Sequence, residues 1–234
     1  MTFAESLKSR RTFLAFIAAV AVAVALATGL IFTDHDASAT NAHSHASNKA
    51  HPAQTAQQAA FQDDMRKLWE DHVTWTRLAI VTFADGSASF DATAARLMKN
   101  QEDIGDAIRP FYGSAAGNQL TSLLKGHIGI AVELLQAAKA GDQPAFDKAN
   151  TAWYSNSNEI ADFLASANPT YWPQATMRAA MKTHLDQTLA EASHELGGDY
   201  AASVADYDEI HHHILTMADV LSTGIMRAFP NKFH

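Results

Sequence analysis

Residues 125–164 read KGHIGIAVELLQAAKAGDQPAFDKANTAWYSNSNEIADFL. Gly141-Asp142 divides this stretch into two segments with helical periodicity, which predicts a helical hairpin. The pattern recurs 57 residues later and 55 to 56 residues earlier, aligning His72, His127 and His184; Asn100 and Asn156; Asp106, Asp162 and Asp219; and Gly141 with Gly198. Such a repeat is typical of stacked copies of one supersecondary unit. The sequence therefore predicts three helical hairpins of one design.

The repeat and its breakers predict an all-α fold. We expect one domain over residues 57–234, a six-helix antiparallel bundle made of hairpins at about 57–110, 114–166 and 173–228. Glycine and proline mark the predicted helix ends, and no alternating strand pattern occurs in the sequence.

The N-terminal part differs in character from the repeats. Residues 1–32 contain a 20-residue uncharged apolar run, 13–32, preceded by Lys8, Arg10 and Arg11. This pattern predicts a single membrane-spanning helix that places the C-terminal domain outside the cytoplasm. Small residues at Ala37 and Ala39 leave open a signal peptide cleaved after Ala39 and a secreted product. Residues 33–56, rich in Ala, Ser, Thr and His, are predicted to be a flexible linker.

Composition excludes several function classes. The net charge of −8 and the absence of a long basic run beyond the first residues argue against nucleic-acid binding. With no cysteine, the chain has no disulfide, thiolate metal site, iron–sulfur cluster or catalytic thiol, and copper(I) loses its preferred ligand. Hydrolase, nucleotide-binding and zinc-protease signatures are missing, so we predict no catalytic residue.

The hairpin geometry predicts a polar layer across the bundle. His72, His127 and His184 each precede the predicted turn by 15 residues, and three polar residues follow the turns by 14 to 17 residues: Asp103, Glu159 and His213. At about 1.5 Å rise per residue, all six lie within roughly one helical turn of the same height. Imidazole and carboxylate together suit zinc, iron, manganese or copper(II). The sequence predicts a transition-metal site formed by these six residues.

Two other interpretations stay open at this point. The inward layer of His, Asp and Glu can be structural, in a non-catalytic extracytoplasmic module that binds another protein. It can also form the floor of a small-ligand pocket on the bundle axis. The repeated Asp106, Asp162 and Asp219 can hold the imidazoles or pair with basic residues on neighbouring helices. A metal-binding protein of this kind would serve in metal sequestration, sensing or delivery, or in redox chemistry at an open coordination position.

Four strings carry a resemblance to known sequences: LWEDHVTWTR, RLMKNQEDIGDAIRPFYG, WYSNSNEIADFLASANP and MADVLSTGIMRAFPNKF. Over residues 64–234 the chain resembles a widespread family of small helical bacterial proteins, often exported. The resemblance implies a helical, exported bacterial protein and adds no catalytic residue. The kinase or transferase names sometimes attached to such sequences fit no motif in this chain.

Overall fold

The computed structural model describes residues 54–234, which are helical as predicted. The helices are α1 (Ala56–Ala84), α2 (Phe90–Ala140), α3 (Gln143–Ala167), α4 (Gln174–Gly197) and α5 (Tyr200–Ala228), followed by a short 3-10 helix, Pro230–Lys232. Residues 54–234 contain no strand. The predicted N-terminal anchor at 1–32 and almost all of the predicted linker at 33–56 lie outside the described residues.

The structure has five helices where the sequence predicts six, because the predicted second and third helices form one element, α2. Gly113 breaks α2 with φ 85° and ψ 168°, a conformation that glycine adopts without steric cost. Pro110 precedes the break and cannot donate a backbone hydrogen bond. Only Gly113 has non-helical angles within α2, so no separate loop divides the two halves.

The two halves of α2 fold back on each other at Gly113. A Cβ built on Gly105 would lie 1.9 Å from Thr121 Oγ1 and 2.7 Å from the Gly117 carbonyl oxygen. Farther from the break, Lys125 pairs with Glu102 at 2.6 Å. Residues at similar distances on either side of Gly113 therefore meet, which brings His127 back over the first half of the helix.

The second and third hairpins have matching turns. Gly141 and Gly198 both adopt a left-handed conformation, with φ of 69° and 80°, immediately after a helix. Asp142 and Asp199 then cap the next helix, each accepting a backbone hydrogen bond of 3.1 Å from the residue three positions on. The repeated Gly-Asp pair thus ends one helix and begins the next in both copies.

The bundle closes by packing α5 against α1. Each helix also packs against its neighbours in sequence. One apolar core runs through the bundle and includes side chains from every helix, among them Trp69, Leu124, Ile160, Leu185 and Ile214. This arrangement directs one face of each hairpin toward a common interior. No helix within residues 54–234 has the length and apolar character needed to cross a membrane.

Candidate functional site: a buried cluster of three imidazoles

The three repeated histidines meet inside the bundle. His72, His127 and His184 are each only 3–4% exposed. The rings of His72 and His184 are 5.6 Å apart, centre to centre. All three side chains line one cavity of about 50 Å³. A water molecule needs only roughly 10–15 Å³, so the cavity has room for a small ligand or an ion.

The cavity lies between the imidazoles and the hairpin turns, and every hairpin contributes to its wall. The other lining side chains are apolar or hydroxyl-bearing: Thr76, Ala79, Ile80, Phe90, Leu97, Ile128, Ala131, Val132, Leu134, Leu135, Trp153, Thr188, Leu189 and Ala192. None of these described lining residues carries a charge. The hydroxyls of Thr76 and Thr188 donate to the carbonyls of His72 and His184, at 2.7 and 2.8 Å. The three imidazoles are therefore the main polar groups that face this space.

A second repeated position supports the histidines. Its members each donate a side-chain hydrogen bond to the carbonyl four residues before a histidine: Asn100 to Leu68 at 2.9 Å, Asn156 to Leu123 at 3.2 Å and His213 to Ala180 at 3.0 Å. Asn100 and Asn156, which the sequence repeat aligns, thus make equivalent contacts, and His213 makes the same contact in the third hairpin. These hydrogen bonds join the two helices of each hairpin at the height of the imidazoles.

The contacts of Asn156 define the proton position on His127. Because the Asn156 amide nitrogen donates to the Leu123 carbonyl, its Oδ1 atom is the one that faces His127 Nδ1, at 2.9 Å. An amide oxygen only accepts, so Nδ1 carries the hydrogen and Nε2 keeps its lone pair. Trp153 stacks on the same ring at 5.1 Å. The imidazole is held in one orientation with a basic nitrogen available.

His72 has a different polar neighbour, Gln101, which has no exposed surface. Its amide nitrogen donates to the Leu97 carbonyl at 2.8 Å and lies 3.3 Å from His72 Nδ1. The amide oxygen of Gln101 has no hydrogen-bond partner among the described residues. Trp69 packs against His72 edge to face at 5.8 Å.

His184 is the least satisfied of the three. Its Nδ1 atom is buried and has no hydrogen-bond partner in residues 54–234. An unpaired buried polar atom costs free energy, on the order of 1–3 kcal/mol. A metal ion, ligand or water bound at this nitrogen would remove that cost.

Burial keeps the cluster uncharged at neutral pH. Desolvation lowers the pKa of His72 to about 3 and that of His127 to about 4. The pKa of His184 falls well below its usual value, mainly through burial and secondarily through the neighbouring imidazoles. Neutral imidazole is the form that binds metal ions.

The predicted carboxylates lie outside this cluster. Asp103 is 31% exposed and pairs with Lys99 at 2.9 Å and Arg96 at 3.7 Å. Glu159 is exposed on α3. The amide three residues earlier on each helix, Asn100 or Asn156, occupies the inward position instead. The cost of dehydration explains why the amide and not the carboxylate faces inward, because an ionised carboxylate is far more costly to bury than an amide.

His213 is half-buried at the edge of the layer. Its Nε2 atom donates to the Ala180 carbonyl, and its charge would disfavour a proton on His184. The repeated aspartates also lie toward the surface, where each pairs with arginine: Asp106 with Arg109, Asp162 with Arg178 and Asp219 with Arg66. They are surface ion pairs, not supports for the imidazoles.

Within residues 54–234 no three His, Asp or Glu side chains are arranged as a ready-made metal site. The three imidazoles approach one another as neutral, mostly supported groups around a cavity. Comparisons with protein-family models, with characterised proteins and with solved structures found no match to this chain.

Proposed function

We propose that this protein binds a transition metal ion through His72, His127 and His184, for sequestration, sensing or delivery outside the cytoplasm. The observation that carries the proposal is the unpaired, buried Nδ1 of His184 beside a cavity that two further neutral imidazoles line.

The hydrogen bond between Asn156 and His127 also fits metal binding. Asn156 accepts the Nδ1 hydrogen of His127 and thereby directs its Nε2 lone pair, the role that residues beside metal-binding histidines usually have. Asp103, Glu159 and His213, which the sequence places in the same layer, have no part in this revised ligand set.

Metal content is the direct test. The full chain, purified in mild detergent without an affinity tag, would carry alanine in place of His35, His43, His45 and His51 to remove weak metal binding by the predicted linker. We expect about one metal ion per chain by plasma mass spectrometry after incubation with zinc, copper, iron or manganese. His127→Asn keeps an amide donor toward Asn156 but removes the Nε2 atom. Its metal affinity should fall more than about 100-fold, which exceeds the 10–100-fold loss typical of changing a residue that only supports a metal ligand.

The matched control is His212→Ala, which removes an exposed histidine from α5. It should bind metal as the parent does. Asn156→Ala should weaken binding by about 10–100-fold because it releases the ring of His127. A parent that binds no metal, while its circular dichroism and unfolding curve show a folded protein, would exclude the proposed function.

A structural role is the second candidate. His127 pairs with Asn156 inside its own hairpin, and Gln101 approaches His72 from the adjoining helix. Such pairs can hold the register of the hairpins without a metal, in a module that serves as a binding partner for another protein. This candidate predicts that His127→Asn destabilises the protein by about 1–3 kcal/mol, because the Asn156 hydrogen bond is retained but the buried ring that stacks on Trp153 is lost.

The proposed cellular location depends on residues 1–39. The apolar run and the preceding basic residues support a single-pass anchor with the bundle outside the cytoplasm. Alkaline phosphatase fused after His234 should be active in a bacterial host, and the fusion should sediment with membranes. Activity in the soluble periplasmic fraction would instead indicate cleavage after Ala39, whereas an inactive fusion would exclude export.

A further inference from the structure

The charge around the imidazoles bears on which metal the cluster would hold. No Asp, Glu, Lys or Arg side chain lines the cavity in the described part of the chain. Asp103 and Glu159 would have supplied negative charge, but one is ion-paired near the surface and the other is exposed. A metal ion held by the three histidines would therefore keep its full charge inside an apolar wall.

The cost of burying an ion rises with the square of its charge. A divalent ion would thus lose about four times as much hydration free energy as a monovalent ion of similar size. Without a carboxylate, a divalent ion would have to bring a hydroxide or another anion with it. The threonine hydroxyls in the wall already donate to backbone carbonyls, so they have no hydrogen left for such an anion.

The number of available ligands also favours a monovalent ion. Zinc usually completes four-coordination, and iron and manganese favour carboxylate or water oxygens besides imidazole. Monovalent copper has a filled d shell and is satisfied by two or three neutral nitrogen ligands. The cluster supplies three, two of them with ring centres 5.6 Å apart.

We propose, on the basis of the metal-binding function above, that the imidazole cluster binds monovalent copper in preference to zinc and other divalent ions. The lack of cysteine removes the usual soft ligand for copper(I), but three neutral imidazoles in a carboxylate-free cavity replace it.

The test compares two metals on one protein. The full chain with the four N-terminal histidines replaced would be titrated anaerobically with tetrakis(acetonitrile)copper(I) against a colorimetric copper(I) chelator, and in parallel with zinc sulfate against a zinc chelator. We expect one copper(I) per chain, bound at least about tenfold more tightly than zinc. His127→Asn should abolish this preference, and His212→Ala should keep it.

A charge variant separates the electrostatic argument from simple loss of a ligand. Gln101→Glu places a carboxylate of nearly the same shape beside His72. Because a divalent ion nearby would hold this buried carboxylate ionised, the variant should lower the ratio of copper(I) to zinc affinity about tenfold or more.

The outcomes distinguish this inference from the function on which it rests. Zinc bound through the histidines more tightly than copper(I) would overturn the preference for monovalent copper and leave a metal site in place. If neither metal binds, or if His127→Asn binds both as the parent does, both proposals fail. An unchanged metal preference in Gln101→Glu, with the variant folded, would contradict the electrostatic explanation and hence this inference.

Discussion

Replacing Gly105 by alanine is expected to destabilise the protein by about 3 kcal/mol or more, at the upper end of the range for overpacking a core. The new Cβ would lie 1.9 Å from Thr121 Oγ1 and 2.7 Å from the carbonyl oxygen of Gly117. Thr121 can change rotamer, but the Gly117 oxygen belongs to a helix backbone and can move only if the two halves of α2 separate.

Gly129→Ala is the matched control, since Gly129 lies in the same helix, is exposed and has no atom within 4 Å of a built Cβ. It should stabilise the protein by about 0.5–1 kcal/mol through helix propensity alone. Urea unfolding followed by circular dichroism at 222 nm measures both changes. Equal behaviour of the two variants would show that the reversal at Gly113 does not bring Gly105 and Gly117 into close contact.

The second large effect concerns a buried carboxylate pair. Glu191 and Glu195 are 1% and 5% exposed and share one cation, Arg77, at 2.7 and 4.0 Å. Ser203 donates a hydrogen bond of 2.6 Å to Glu195, and Asp206 adds further negative charge near Glu191. One guanidinium cannot neutralise two buried carboxylates, and desolvation raises the pKa of Glu191 from 4.5 to about 7.

This raised pKa predicts a pH-dependent stability. Glu191 holds its proton more tightly in the folded protein than in the unfolded chain. Its contribution is therefore fully present below about pH 4.5 and is lost as the pH rises through about 7. At about 1.4 kcal/mol for each unit of pKa, the loss is on the order of 3 kcal/mol.

Glu191→Gln should remove this dependence. Relative to the parent, the free energy of unfolding of the variant should rise by on the order of 3 kcal/mol between about pH 4.5 and 8. Urea unfolding at several pH values in the presence of a metal chelator measures the difference, in which the contributions of groups that do not interact with Glu191 cancel. Glu133→Gln, which changes an exposed carboxylate on α2, is the control for the loss of one negative charge. A pH-independent difference between Glu191→Gln and the parent would rule out the raised pKa.

Local sequence signals predicted most of the secondary structure, because they act within a few residues. Asp142 and Asp199 cap the helices that follow them, and Gly141 and Gly198 end the preceding helices at positive φ. The break at Gly113 was predicted as a loop between two helices. In the structure a single glycine reverses the chain. The two halves of α2 can approach closely because Gly105 packs against Gly117, so no further loop residues are needed between them.

The sequence also predicted which histidines would meet, since a repeated hairpin places equivalent residues at equal height. It did not predict their partners. Asn156 and Glu159 are three residues apart and neighbours within one turn of α3, so helical periodicity alone does not decide which of them faces inward. The same ambiguity about which residue faces inward applies to Asn100 and Asp103 on α2.

The sequence by itself determined an all-helical domain, the places where its helices begin and end around the Gly-Asp turns, and the inward position of His72, His127 and His184. Only the tertiary structure decided that amides rather than carboxylates approach His72 and His127, and that no charged side chain lines the cavity beside the three imidazoles. The physical reason is that helix rotation within a bundle depends on contacts with every neighbouring helix. The free energy of burying a carboxylate then favours the rotation that leaves Asp103 and Glu159 near water.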